Sequence, residues 1–139
     1  MTVSQFGPAG GHVYKVRFKP GDDAVAGMIR FAQAHRFRQA TLTGIGGFSS
    51  AVLAWYDPSN GFFKTNTVGK GEVTSFTGTI ATDDKGQVTV HAHVSIGIGD
   101  GSTKAGHLVS AVVNPTLEVY VTDLGEGREL SAPLAGAAR

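Results

Sequence analysis

One stretch of the chain carries the period of a helix. Val25, Met28, Ile29 and Ala32 fall at the 0, 3, 4, 7 spacing of a single helical face, with Phe31 alongside. Pro20-Gly21 breaks the preceding segment and leaves Asp22 or Asp23 to cap the first turn, and the helix ends near His35. Almost everything else alternates apolar and polar residues with period two between glycine-rich turns. A chain with one helix and many strand-like segments buries its apolar faces by laying that helix on a large sheet. The predicted fold class is therefore α+β: a single domain with a mostly antiparallel or mixed sheet of about eight strands and one main helix.

The strand segments read as His12–Lys19, Gln39–Ile45, Phe48–Tyr56, Phe62–Thr67, Glu72–Thr82, the run from Val88, Leu108–Val113 and Leu117–Thr122. In the first of them Tyr14, Val16 and Phe18 face inward. Residues 1–11 read as a loose lead-in, 12–124 as the folded domain and 125–139 as a flexible tail. Twenty glycines punctuate these segments without forming a repeat, so they mark turns, bulges and close backbone approaches. Gly44-Ile45-Gly46-Gly47-Phe48 does not match a nucleotide-binding GxGxxG, and a strand follows it where a phosphate loop needs a helix; it reads as a sharp β-bend.

At 139 residues the chain is long enough to bury a core without disulfides or structural metals. It has no cysteine, which excludes thiolate ligands and a cysteine nucleophile; any metal must be held by His, Asp, Glu or backbone oxygen. Twelve basic and eleven acidic side chains are spread along the chain, which argues against a dedicated nucleic-acid binder. The nearest basic cluster, Arg30, His35, Arg36 and Arg38, reads as a solvated face. With no apolar run of ~18 residues and no signal-like N-terminus, a cytoplasmic protein without membrane association is predicted.

Three of the five histidines lie in Val88–Leu108. His91 and His93 are spaced by two on a strand, so both point to the face opposite Val88, Val90, Ala92, Val94 and Ile96. Asp100-Gly101 then turns the chain, so that His107 can return beside them. Three imidazoles from neighbouring strands make an open zinc-type site; the alternative is an ordinary solvated strand face. Asp83-Asp84-Lys85-Gly86 reads as a hairpin turn that makes the Glu72 strand the neighbour of the histidine strand. Glu72, on the side of Phe76, Gly78 and Ile80, is then a candidate general base or a partner of the ligands.

The ordered set of one helix, Gly44-Ile45-Gly46-Gly47-Phe48, Glu72 opening a strand with Gly78, His91-x-His93, Gly106-His107-Leu108 and Thr116-Leu117-Glu118-Val119 resembles the PPC domain, the plants and prokaryotes conserved domain. The resemblance covers residues 12–124. It implies an α/β sandwich-like fold around a mixed sheet, assembled as a homotrimer. In plants this domain is joined to AT-hook DNA-binding segments; here only Gly127-Arg128 is left of such a pattern, so DNA contact by that route is not implied. The fold is also similar to that of acetolactate decarboxylase, whose zinc sits on a His-x-His pair plus a later Gly-His; His91, His93 and His107 match it. That enzyme also uses carboxylates and an arginine. Glu72 and Glu118 are candidates for the first, and no arginine is placed.

Three functions follow. The first is a homotrimer with a zinc site in a small-molecule pocket; if enzymatic, it is a metal-dependent lyase or hydrolase acting on a small carbonyl substrate, with Glu72 as base. The second is a DNA-associated regulatory module using Arg30, Arg36 and Arg38. The third is a partner-binding trimer with Phe48, Phe62 and Phe63 at its interfaces.

Overall fold

The helix forms where its period and cap place it. α1 (Ala24–His35) starts at Asp23, whose carboxylate accepts the Ala26 N–H at 2.7 Å, and ends at Arg36, which turns left-handed at φ 55°. Ala24, Gly27, Met28, Phe31 and Ala32 are buried. The structure, a computed structural model, describes residues 1–7 and 11–127. The tail from residue 128 onward, and with it most of the expected flexible segment, lies outside the described residues.

Among the described residues seven strands accompany the helix: β1 (Thr2–Phe6), β2 (Val13–Phe18), β3 (Gln39–Asp57), β4 (Phe62–Val68), β5 (Gly71–Thr82), β6 (Val88–Gly97) and β7 (Thr103–Asp123). They form one sheet in the order β1-β2-β7-β6-β5-β3-β4, and β7 also pairs with β3. The ladders β3–β5, β5–β6, β6–β7 and β7–β3 thus close into a ring. Every pairing among the described residues is antiparallel, so the sheet is not mixed.

Three boundaries differ from the sequence reading. Residues 2–6 are not a loose lead-in: they pair with β2, Thr2 against Arg17 through Phe6 against Val13. Gln39–Ile45 and Phe48–Tyr56 are one strand, and so are Leu108–Val113 and Leu117–Thr122. The expected bend at Gly44–Phe48 is a set of register shifts, one against β5 between Gly44 and Gly46 and two against β7, between Gly46 and Phe48 and between Phe48 and Ser50. A Cβ at Gly46 would stand 2.3 Å from the Thr116 carbonyl oxygen, and one at Gly47 2.5 Å from that of Asn114, so glycine lets the two backbones touch. Pro115, which has no N–H to donate, falls at the same irregularity, where a strand tolerates it.

The core is one cluster between the inner sheet face and α1. Val16, Phe18, Met28, Phe31, Phe48, Phe76, Ile80, Ile96, Leu117 and Val121 are all at most 2% exposed. Phe48 is therefore core and not an interface residue. Phe62 and Phe63 are about two-thirds exposed, at 70% and 67%, on the β3–β4 arm. No helix among the described residues is long and apolar enough to cross a membrane.

Candidate metal centre

β6 is amphipathic as its alternation requires. Val88, Ala92, Val94 and Ile96 are buried, while Thr89, His91 and His93 are exposed on the outer face. The Asp83–Gly86 turn forms as read, with the Asp83 carboxylate accepting the N–H groups of Lys85 and Gln87 at 2.9 and 2.8 Å. It fixes the β5–β6 register, with Thr79 opposite His91 and Thr77 opposite His93. The second turn, where Asp100 accepts the Ser102 N–H at 2.8 Å, returns the chain so that His107 is the direct partner of His93.

Register therefore brings the three imidazoles together. Their ring centroids are 5.0, 5.2 and 5.6 Å apart, and one nitrogen from each lies within 4.8 Å of the other two. The Nε2 atoms of His91 and His93 are 3.2 Å apart. Tetrahedral zinc with Zn–N bonds of ~2.05 Å needs ligand nitrogens about 3.3 Å apart, so this edge already has the right length. The nitrogen of His107 lies within 4.8 Å of both. No carboxylate joins the cluster among the described residues. His107 is half-buried, and burial, followed by the neighbouring His91 and His93 charges, holds its imidazole below the usual histidine range. The neutral form is the one a metal needs.

Glu72 is not brought to this cluster. A register shift between Val73 and Ser75 on β5 turns Val73 inward with Phe76, so Glu72 is not on the core side with Phe76 as alternation predicts. Its ladder partner is Gly97, four residues beyond His93 and so about 13 Å along β6. It lines a separate depression with Lys70, Ser102 and Asn114. Glu118 is also elsewhere, 3.1 Å from Lys15 Nζ and 3.9 Å from Arg17 Nε. Hydroxyls lie beside His93 instead: Ser75, Thr77 and Ser95 line the depression that holds it.

Sequence reasoning missed the strand on the far side of His107; of its residues Ala54 shares the histidine face, and the next, Trp55, points to the opposite one. Ala54 on β3 is the ladder partner of His107 on the edge away from β6. Trp55 follows it, 54% exposed, with Lys64 Nζ 5.8 Å from its ring. No local signal links residues 54 and 107; only the β3–β7 register does.

An antiparallel sheet with one helix packed against its inner face and three imidazoles converging on its outer face makes this an α+β domain. The sequence profile of the Plants and Prokaryotes Conserved (PCC) domain matches residues 6–125, and the chain belongs to that family. A candidate DNA-binding protein from Bacteroides thetaiotaomicron is similar at 26% identity and TM-score 0.82, over 90% of this chain and 85% of that one. A metal-containing protein from Archaeoglobus fulgidus is similar at 29% identity and TM-score 0.76, over 83% and 81%. The acetolactate decarboxylase of Bacillus subtilis shares the fold at 11% identity and TM-score 0.59, over 86% of this chain and 56% of the enzyme. No curated protein matches the chain.

Proposed function

We propose that the chain is a metal-binding protein in which His91, His93 and His107 hold one divalent ion, zinc by donor type, at a small-molecule site. The observation that carries this reading is the convergence of three imidazole nitrogens within 4.8 Å, with one edge at 3.2 Å. All-nitrogen donors suit zinc among the metals that take imidazole, and the absence of cysteine removes thiolate sites. The similar Archaeoglobus protein, named as metal-containing, supports it. A zinc ion with three neutral ligands and an open position supplies Lewis-acid polarisation of a carbonyl. The chain's own part is to keep His107 neutral and to present the Ser75, Thr77 and Ser95 hydroxyls to whatever binds. Elemental analysis of untagged protein tests the reading: about one zinc per chain is expected, falling to background in His91→Ala and His93→Ala. Metal-free protein whose melting temperature ignores added zinc would overturn it.

The working form is a homotrimer. The exposed Tyr56, Phe62 and Phe63 on the arm and Ile45 on the sheet are more apolar surface than a small monomer usually leaves bare. Light scattering should give three times the 14.4 kDa chain mass.

A DNA-associated role is the second reading, favoured by the similar Bacteroides protein's description. Against it, Arg38 is paired with Asp84 at 2.9 Å, and Lys15 and Arg17 with Glu118. A gel shift on duplex DNA at low salt, absent with Arg30→Glu/Arg36→Glu protein, would support it; no shift at all removes it.

A further inference from the structure

A second hollow, of about 830 Å³, opens at the Glu72 end of β5, lined by the β4–β5 connection, the β6–β7 turn and the irregular middle of β7. Gly97 on its floor is four residues on from His93 and so shares the outer face, as do its ladder partners Glu72 and Thr103. Lys70, Asn114 and Thr116 complete its polar wall. We propose that this hollow binds a small zwitterion, an amino-carboxylate whose two charged ends lie several ångströms apart, with its ammonium on Glu72 and its carboxylate on Lys70. This site is independent of the metal centre.

Three observations carry the proposal. The hollow holds one cation and one anion that are not paired with each other. Lys70 and Glu72 are both exposed, and neither belongs to an ion pair among the described residues. With one residue between them, their Cα atoms are no more than about 7 Å apart. Opposite charges left open in one concave site complement a ligand that carries both; a simple anion meets repulsion from Glu72, and a simple cation from Lys70.

The floor, moreover, is bare backbone, since six of the fifteen lining residues are glycine. At Gly46, Gly47 and Gly71 a Cβ would come within 2.5 Å of a neighbouring atom, so close packing demands glycine there. Gly97 is different. It is not among the positive-φ glycines, and its Cβ would meet nothing nearer than Thr74 Cγ2 at 3.6 Å. Neither strain nor crowding requires glycine at this position; what the missing side chain provides is room beside Glu72. The remaining wall is polar without charge: the Thr103 and Thr116 hydroxyls and the Asn114 amide both donate and accept, and so suit either end of such a ligand.

The experiment titrates isotope-labelled protein with δ-aminovalerate, valerate and pentylamine, three compounds of one chain length, and follows the backbone amides of Gly97, Gly99 and Gly101 by NMR. δ-Aminovalerate is expected to bind roughly tenfold tighter than either single-ended compound, because its second end adds a charge-assisted bond. On Lys70→Met it should bind no better than pentylamine, and on Glu72→Gln no better than valerate. Both changes are at exposed positions, so the melting temperature should hold. Gly97→Val, which adds bulk where the backbone has room, should abolish the shifts at Gly99 and Gly101. Equal affinities for the three compounds, or no amide shifts at millimolar concentration, would overturn the proposal whatever the histidines hold.

Discussion

His93 and His107 are ladder partners on neighbouring antiparallel strands, and His91 follows on the same face with its Nε2 3.2 Å from that of His93. Two bare imidazole lone pairs do not sit that close; a proton or a cation must lie between them. Zinc competes with protons for these nitrogens, and each ligand that protonates costs up to roughly tenfold in affinity per pH unit. Chelator-competition titrations at pH 7 and pH 5 should show zinc binding weakening on acidification. Burial, then the neighbouring His91 and His93 charges, hold the His107 imidazole below the usual histidine range and so favour its neutral, ligating form. In metal-free protein the same shift contributes stability above the unfolded value, which is lost as pH falls through the folded one. Zinc affinity that does not change between pH 7 and pH 5 would place the ion elsewhere.

Gly78 lies on β5 opposite Ala92, between the pairs that fix His91 and His93. A Cβ there would stand 2.2 Å from the His91 carbonyl oxygen and 2.8 Å from Ala92 Cα, both backbone atoms that can move only with the strand. Gly78→Ala is therefore expected to destabilise the fold by about 1–3 kcal/mol, the usual cost of overpacking. It should also lower zinc affinity, because β6 carries two ligands. Thermal melts and zinc titration check both; unchanged affinity in a destabilised variant would mean that β6 does not set the ligand geometry.

The histidine triad was legible because it depends only on strand period and on two turns with strong local signals, Asp83–Gly86 and Asp100-Gly101. The helix was legible for the same reason, its cap and period both lying within a dozen residues. Glu72 was misplaced because nothing in Glu72-Val73-Thr74 announces that the register shifts there, and one extra residue reverses every face upstream of it. The two long strands were each read as two because Gly46, Gly47 and Pro115 look like breaks one at a time. They are tolerated only because they meet each other across the β3–β7 ladder.

Asp23 caps the one helix among the described residues, its carboxylate accepting the Ala26 N–H at 2.7 Å. Asp23→Ala leaves that donor without its partner and should cost about 1 kcal/mol. α1 packs on the inner face and carries none of the three histidines, so zinc stoichiometry should not change. Denaturant melts with and without zinc separate the two effects; a fall in bound zinc would show that the helix positions the site after all.

Asp57 is the only buried charged residue among the described residues, and it sits at the tip of the β3–β4 arm. Its carboxylate accepts from Ser59 Oγ at 2.6 Å, from the Ser59 N–H at 3.0 Å and from Asn60 Nδ2 at 3.2 Å, and it pairs with Lys64 Nζ at 3.2 Å. The two Ser59 bonds, then Lys64, hold it below the usual carboxylate range. A depressed folded value stabilises the arm above the unfolded value of about 3.9 and withdraws that support as pH falls through the folded one. Near neutral pH the contribution is complete, so Asp57→Ala should loosen the arm there, while acid should loosen it in the wild type. Trp55, two residues away and tied to Asp57 through Lys64, reports the change: a red shift of its emission in Asp57→Ala at pH 7, matched by wild-type protein only below about pH 4. Faster proteolysis between residues 57 and 62 should accompany it. Identical Trp55 emission in the two proteins at pH 7 would show that the carboxylate does not hold the arm.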